Sequence, residues 1–246
     1  MEVFVPWTPA HFRWLAISAL FVGLPLLVAR CGSPRLAQWI VGAELVGSAS
    51  GAIFLVTERG TTEWVHVLPL HLCDLVLVVA LVAFLSRHPL AFELAYCFGI
   101  AGSTQAVLTP DIAGQLPLWR IAYFFGAHAA VIAAVLYLAV VERLRPRPGT
   151  VRRVMAVLAL YAVAIGSFNA LAGTNYGYLC HKPQQPSLLD YLGPWPWYIL
   201  AVGLIAALCC WLLVLPFRRH QTHHSCPTAV VVTGAHPYRR HRRHSC

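Results

Sequence analysis

Apolar residues run through this chain in blocks of about twenty, broken by short clusters of Gly, Pro and Arg such as "CGSPR", "SRHP", "TPDIAGQLP" and "RPRPGT". A bilayer core of ~30 Å needs ~20 apolar helical residues to cross it, within roughly 17–25. Seven stretches meet that length: about 10–29, 36–57, 65–86, 91–108, 119–142, 150–172 and 194–216. The fourth, "AFELAYCFGIAGSTQAVL", is the shortest and most polar. The pattern therefore predicts an all-α polytopic membrane protein, a seven-helix transmembrane domain over 1–216 followed by a tail over 217–246.

Composition agrees. Of 246 residues, 59% are hydrophobic and 11% charged, and mean hydropathy is +0.66. A soluble domain carries roughly 25% charged residues. The net charge of +9 does not point to nucleic acid, because the 18 Lys and Arg sit mostly in short loops between apolar runs. That placement is the membrane-topology use of basic charge. One side receives Arg30, Arg35, Arg87, Arg143, Arg145, Arg147, Arg152, Arg153, Arg218 and Arg219; the other receives Arg13, Arg59, Arg120 and Lys182. The richer side is expected in the cytoplasm, with the N-terminus outside and the C-terminus inside. No cleavable signal peptide is expected, and the scattered cysteines make no disulfide framework. Trp7, Trp14, Trp64, Trp119, Trp195, Trp197 and Tyr198 fall at span ends, as interface anchors do. The tail, "RRHQTHHSC…HPYRRHRRHSC", is basic and His-rich without an amphipathic period. It reads as a disordered cytoplasmic segment that touches anionic headgroups, and it lacks regular zinc-ligand spacing.

Ionisable groups inside a span are costly and are functional candidates by default. They are Glu44, His66, His71, Asp74, Glu93 and His128, joined by Thr104, Gln105, Asn169 and Cys73. With helical rise from the span ends, Cys73 lies ~12 Å and His128 ~13 Å below the same surface. Gln105, Asn169 and the loop bearing Asn175 belong to that side too, while Glu93 is expected at the opposite interface. On an ideal helix Cys73 and His71 point ~160° apart, so His71 is not expected to serve Cys73. His71 and Asp74 are i,i+3 neighbours able to pair and support the third helix from behind. His66 shares the Cys73 face but lies ~10 Å away along the axis, so the base is expected from another helix, with His128 the candidate.

Two readings of these residues stand side by side. An imidazole beside a thiol can take its proton and make a nucleophile able to form an acyl-enzyme, with Gln105, Asn169 or Asn175 binding the oxyanion or a headgroup. Equally, a Cys in a membrane helix can be small packing material, and His, Gln and Asn can be interhelical hydrogen-bonding groups.

The stretches "LPLHLCDL" (68–75), "GIAGSTQAVLTPD" (99–111), "FFGAHAAVIAAVLYL" (124–138) and "GTNYGYLCHKP…SLLDYLGPWPWYI" (173–199) together resemble the YwaF-type integral membrane proteins, which include animal transmembrane protein 164. The resemblance covers most of residues 35–215, and "NYGYLCHKP…LGPWPWY" is its most specific part. It implies a phospholipid acyltransferase with a Cys–His pair in the membrane core, at positions matching Cys73 and His128. It also implies a fold similar to the androgen-induced transmembrane hydrolases, whose Thr and His lie on helices two apart and whose substrates are fatty-acid esters.

The sequence reading is thus a multi-pass cell-membrane protein that performs lipid acyl transfer or lipid-ester hydrolysis on a phospholipid or fatty-acyl substrate. Cys73 is the expected nucleophile and His128 the general base, with no metal or organic cofactor. The alternative is a small-molecule or proton-coupled transporter using Glu44 and the His71–Asp74 pair as a relay.

Overall fold

The computed structural model describes residues 2–58, 64–112, 114–183 and 187–218; the tail expected from 217 onward lies, beyond Arg218, outside the described residues. Among the described residues the regular structure is helical, apart from one short antiparallel pair of strands. Its long helices are α1 (Pro9–Arg30), α2 (Pro34–Glu58), α6 (Leu118–Leu136), α7 (Thr150–Ala172) and α8 (Trp197–Arg218). These five are long and apolar enough to cross a membrane, with α6 extended to Val141 by a π-helical turn.

The other two expected spans differ from a simple helix. The third is helical only from Leu72 to Ser86, as α3. Fifteen residues span ~22 Å, short of a full crossing. Pro69 is the physical reason: it disfavours helix at Leu68 and offers no backbone donor. Residues 67–71 therefore run as irregular chain, and His71 is the extended residue that caps α3. The fourth is one continuous rod made of α4 (Pro89–Leu94), a π-helical turn (Ala95–Gly99) and α5 (Ile100–Leu108).

The rods pack around α6, whose Ala129, Ala130, Ala133 and Ala134 are buried. Small residues let membrane helices approach closely where the hydrophobic effect gives no help. At one end of the bundle, strands β1 (Glu2–Phe4) and β2 (Gly114–Leu116) pair antiparallel, tying the N-terminus to the α5–α6 connection. His11, a span histidine that the pattern did not single out, secures the same corner. It is fully buried, accepts the Trp7 N–H at Nδ1 (3.0 Å) and donates from Nε2 to the Val107 carbonyl (2.9 Å).

The opposite, arginine-rich end is clamped by charge. Glu93 is completely buried. Its carboxylate accepts from Arg147 Nε (2.8 Å), the Arg147 backbone N–H (3.1 Å), Arg153 Nε (2.9 Å) and Arg153 Nη2 (2.7 Å). The α4 and α7 rods are thereby joined through the connection that precedes α7. Arg87, which ends α3 in a left-handed conformation, forks onto Glu142 just past the α6 π-turn.

Candidate functional site

Because α3 begins at Leu72, Cys73 is the second residue of a helix rather than a mid-span residue. The first amide groups of a helix lack intrahelical carbonyl partners and carry its positive dipole end. Asp74, in the same first turn, complements that end. The Asp74 and Leu75 amides both donate to the His71 carbonyl (3.1 and 3.2 Å), which fixes the turn on which Cys73 sits. Irregular backbone at membrane depth is tolerated where it is covered by protein or lines a polar cavity. His66, Val67, Leu68, Pro69 and His71 line one.

Two adjoining cavities meet at Cys73. The first, about 180 Å³, lies under the irregular segment and is lined by His66, His71, Cys73, Asp74, Tyr123 and Tyr176 together with apolar residues from α2. The second, about 130 Å³, lies deeper and is lined by Cys73, Asp74, Leu77, Ser103, Tyr123, Phe124, Ala127, His128 and Val131. Cys73, Asp74 and Tyr123 belong to both, so they form the partition between them. Cys73 is accessible from this space, whereas His128 is almost fully buried.

His128 is oriented by its own helix. Its Nδ1 lies 2.7 Å from the Phe124 carbonyl oxygen. A carbonyl only accepts, so Nδ1 carries the proton and Nε2 keeps its lone pair. The Phe124 ring packs against the imidazole at 4.5 Å between centroids. No hydrogen bond joins Cys73 and His128 directly. Both line the second cavity, whose wall is mostly apolar and carries Asp74, Ser103 and Tyr123 as its other polar side chains.

The remaining sequence candidates separate. His71 and Asp74 flank Cys73 at the start of α3. With His71 outside the helix, the 160° argument does not apply, and both residues line the first cavity beside Cys73. The His71 ring packs against Tyr176 at 5.1 Å between centroids.

Gln105 lines neither cavity. Its amide donates to Thr109 Oγ1 (2.7 Å) at the exposed end of α5. The π-turn takes one extra residue per turn, rotating the following helix by ~100°, and Ser103 is the α5 residue that reaches the cavity.

Asn169 and Asn175 build the 173–193 loop rather than the cavity wall. Asn169 is buried, donates to the Tyr176 carbonyl (2.9 Å) and accepts from Thr174 Oγ1 (2.8 Å) and the Tyr176 amide (2.9 Å). Asn175 accepts the Cys180 and His181 amides (3.0 and 3.1 Å) and donates to the His181 carbonyl (2.8 Å). Their work delivers Tyr176 to the first cavity, where its hydroxyl donates to the Val65 carbonyl (2.8 Å).

The loop is held down by Tyr178, which donates to Asp111. Burial, then that hydrogen bond, pushes the Tyr178 phenol above its ordinary value, so it remains a protonated donor.

Sequence reasoning missed Tyr123, Ser103 and Tyr176. Aromatic and small hydroxyl residues in an apolar run carry no spacing signal that separates cavity lining from packing. Among the described residues no group of three or more His, Cys, Asp or Glu side chains is placed to share a metal ion.

Fold and site define a polytopic helical membrane protein with two small cavities that meet at Cys73. Residues 6–214 match the TMEM164 family, and the chain belongs to that family. It is 30% identical over 230 residues to an uncharacterised protein of Treponema pallidum (strain Nichols), covering 89% of this chain and 92% of that relative. No solved structure matches.

Proposed function

We propose that the protein is a membrane-embedded lipid acyltransferase or lipid-ester hydrolase, with Cys73 as nucleophile and His128 as general base and acid. The observation that carries this reading is the shared cavity. Residues 55 positions apart in sequence, on α3 and α6, line one small cavity, and the His128 tautomer leaves Nε2 as the available base.

In the acylation step His128 Nε2 takes the Cys73 thiol proton as sulfur attacks the acyl carbonyl carbon. The carbonyl electrons move onto oxygen, where the first amides of α3 and the Tyr123 hydroxyl are the candidate donors. The ester C–O bond then breaks, and the departing alkoxide takes the proton from His128. Water or an acceptor hydroxyl resolves the thioester: it gives its proton to His128, bonds to the carbonyl carbon and displaces the sulfur, which regains the proton. Asp74, present in both cavities, is a second candidate proton acceptor.

The same reading counts α3 and the α4–α5 rod as crossings completed by adjoining chain. That makes seven spans in the cell membrane, with the N-terminus outside and the C-terminus in the cytoplasm. The substrate is a phospholipid or fatty-acyl ester, and the arginine-rich end meets anionic headgroups.

A thiol-directed activity probe on purified protein tests it. With labelled peptides mapped, wild type is expected to label at Cys73 above the background of the exposed Cys31 and Cys180 thiols, Cys73→Ala to keep that background alone, and His128→Ala to label at Cys73 more slowly by about 10²-fold or more. Equal labelling of all three would sink the assignment.

A transporter is the second reading, favoured by Glu44, whose Oε2 is buried without a hydrogen-bond partner. Glu44 lines neither cavity. Proton or solute flux in liposomes that needs Glu44, His71 and Asp74 but not Cys73 would favour this reading over the first.

A further inference from the structure

A third hollow, about 780 Å³, lies between α7 and α8. That volume is within the ~300–1,000 Å³ of small-molecule sites. Tyr161 contributes the single polar side-chain atom of its lining; the rest is aliphatic or glycine. The hollow has a structural cause. The buried residues of α7 are Thr150, Val154 and Asn169, and those of α8 are Tyr198, Cys210 and Val214. Each helix is thus held near its two ends and stands clear along its middle. Facing Ala159, Ala162, Gly203 and Ala207 in that middle could bring the helices together. Here they leave a groove instead.

The groove and the first cavity are two sides of one thin wall. Leu72 lines the groove and Cys73 the cavity; Gly177 lines the groove and Tyr176 the cavity. The wall is pinned by the Tyr161 hydroxyl, which donates to the Leu70 carbonyl (2.9 Å). Gly177 is required there: its φ is +65°, and a Cβ would lie 2.7 Å from the Tyr161 oxygen. From Met155 to Val163 the groove runs ~12 Å along α7, close to the ~15 Å hydrocarbon depth of one leaflet.

We infer that this groove holds the fatty acyl chain of the lipid whose carbonyl reacts at Cys73, the carbonyl end reaching around the rim of the wall at Leu72. The inference rests on the proposed acyl chemistry for its link to Cys73, and on groove geometry for its occupant. A chain gains little hydrophobic energy on leaving lipid for an apolar groove. The groove therefore acts by positioning: it fixes the carbonyl at the sulfur and selects long chains.

Gly203→Leu is the informative variant, because Gly203 lines the hollow and a Cβ there meets nothing within 4 Å. Two measurements are made on the full chain in nanodiscs. In the first, wild type and Gly203→Leu are photolabelled with a diazirine-bearing palmitoyl phospholipid, and labelled peptides are mapped. Concentrated labelling of 155–163 and 199–207 in wild type, lost in Gly203→Leu, supports the groove. Labelling spread evenly over all lipid-facing helices, or unchanged in the variant, overturns it. So does a Gly203→Leu variant that changes oligomeric state instead, since the groove would then seat a second copy.

In the second, hydrolysis of palmitoyl and butyryl nitrophenyl esters is compared. Gly203→Leu is expected to lose palmitoyl turnover by about 10- to 100-fold while keeping butyryl turnover; equal loss or retention of both overturns the selecting role. If wild type turns over neither ester but the groove still labels, the acyl chemistry fails and the lipid-binding groove stands.

Discussion

At the residue scale the chamber depends on where one ring sits. Tyr123 belongs to both cavities, and it packs against α2 at Gly51. A Cβ there would lie 2.6 Å from Tyr123 Cδ2, so Gly51 gives the ring its seat. Two variants separate the hydroxyl from the ring position. Tyr123→Phe keeps the ring and removes a candidate oxyanion donor. It is expected to lower ester turnover by about 10²-fold, the usual effect of losing one such donor, without changing thermal stability. Gly51→Ala keeps the hydroxyl and displaces the ring. It is expected to slow both Cys73 labelling and turnover. Turnover by Tyr123→Phe at the wild-type rate would show that the hydroxyl does not stabilise the transition state. The residue scale is also where sequence reasoning reached unevenly. Cys73 and His128 line one cavity, and the sequence singled them out by matching depth and by the family resemblance, since Cys97, Cys209 and Cys210 also lie in apolar runs. Asn169 and Asn175 were legible as polar but not in role. Each sits where a helix or turn leaves backbone amides unpaired, and Asn meets that demand with its own side chain. A sequence does not reveal whether an amide faces a ligand or its own loop.

At the element scale the long apolar helices followed from length and composition alone. Two departures did not. Pro69 carried a signal for the late start of α3, but it lay inside an apolar run of spanning length. The π-turn at Ala95–Gly99 had no local signal, and it rotates the α5 face that carries Ser103 and not Gln105 into the cavity wall. Both departures act on the site: one puts Cys73 at a helix N-terminus, the other sets which α5 face looks inward. The rod that holds the π-turn is anchored by Glu93. This buried carboxylate accepts from both Arg147 and Arg153. Breaking a buried ion pair by deleting one partner costs about 3–5 kcal/mol. Glu93→Ala is therefore expected to lower the thermal unfolding midpoint in detergent markedly. Exposed charge pairs contribute only ~0–1 kcal/mol, so Glu58→Ala, which loses the exposed contact to Arg120 at 2.9 Å, serves as the control. Similar midpoints for the two variants would place the anchoring of this rod elsewhere.

At the scale of the whole molecule the chemistry depends on which side the chamber faces. The contacts sort cleanly into two ends. His11–Val107, Tyr176–Val65 and Tyr178–Asp111 share one; Glu93–Arg147 and Arg87–Glu142 share the other. The chamber lies toward the first end, and the arginines gather at the second. Basic loops are retained in the cytoplasm during insertion, so the chamber should open toward the extracytoplasmic leaflet. Two native thiols report this directly. Cys180 is exposed in the 173–193 loop at the chamber end, and Cys31 is exposed at the arginine-rich end. In intact cells a membrane-impermeant maleimide is expected to label a variant retaining Cys180 as its sole thiol. A variant retaining Cys31 alone should label only after permeabilisation. The reverse pattern would invert the molecule and assign the chamber to cytoplasmic-leaflet lipids. Labelling of both thiols from one side would break the alternation on which the seven-span count rests, and would leave α3 or the α4–α5 rod as a re-entrant element rather than a crossing.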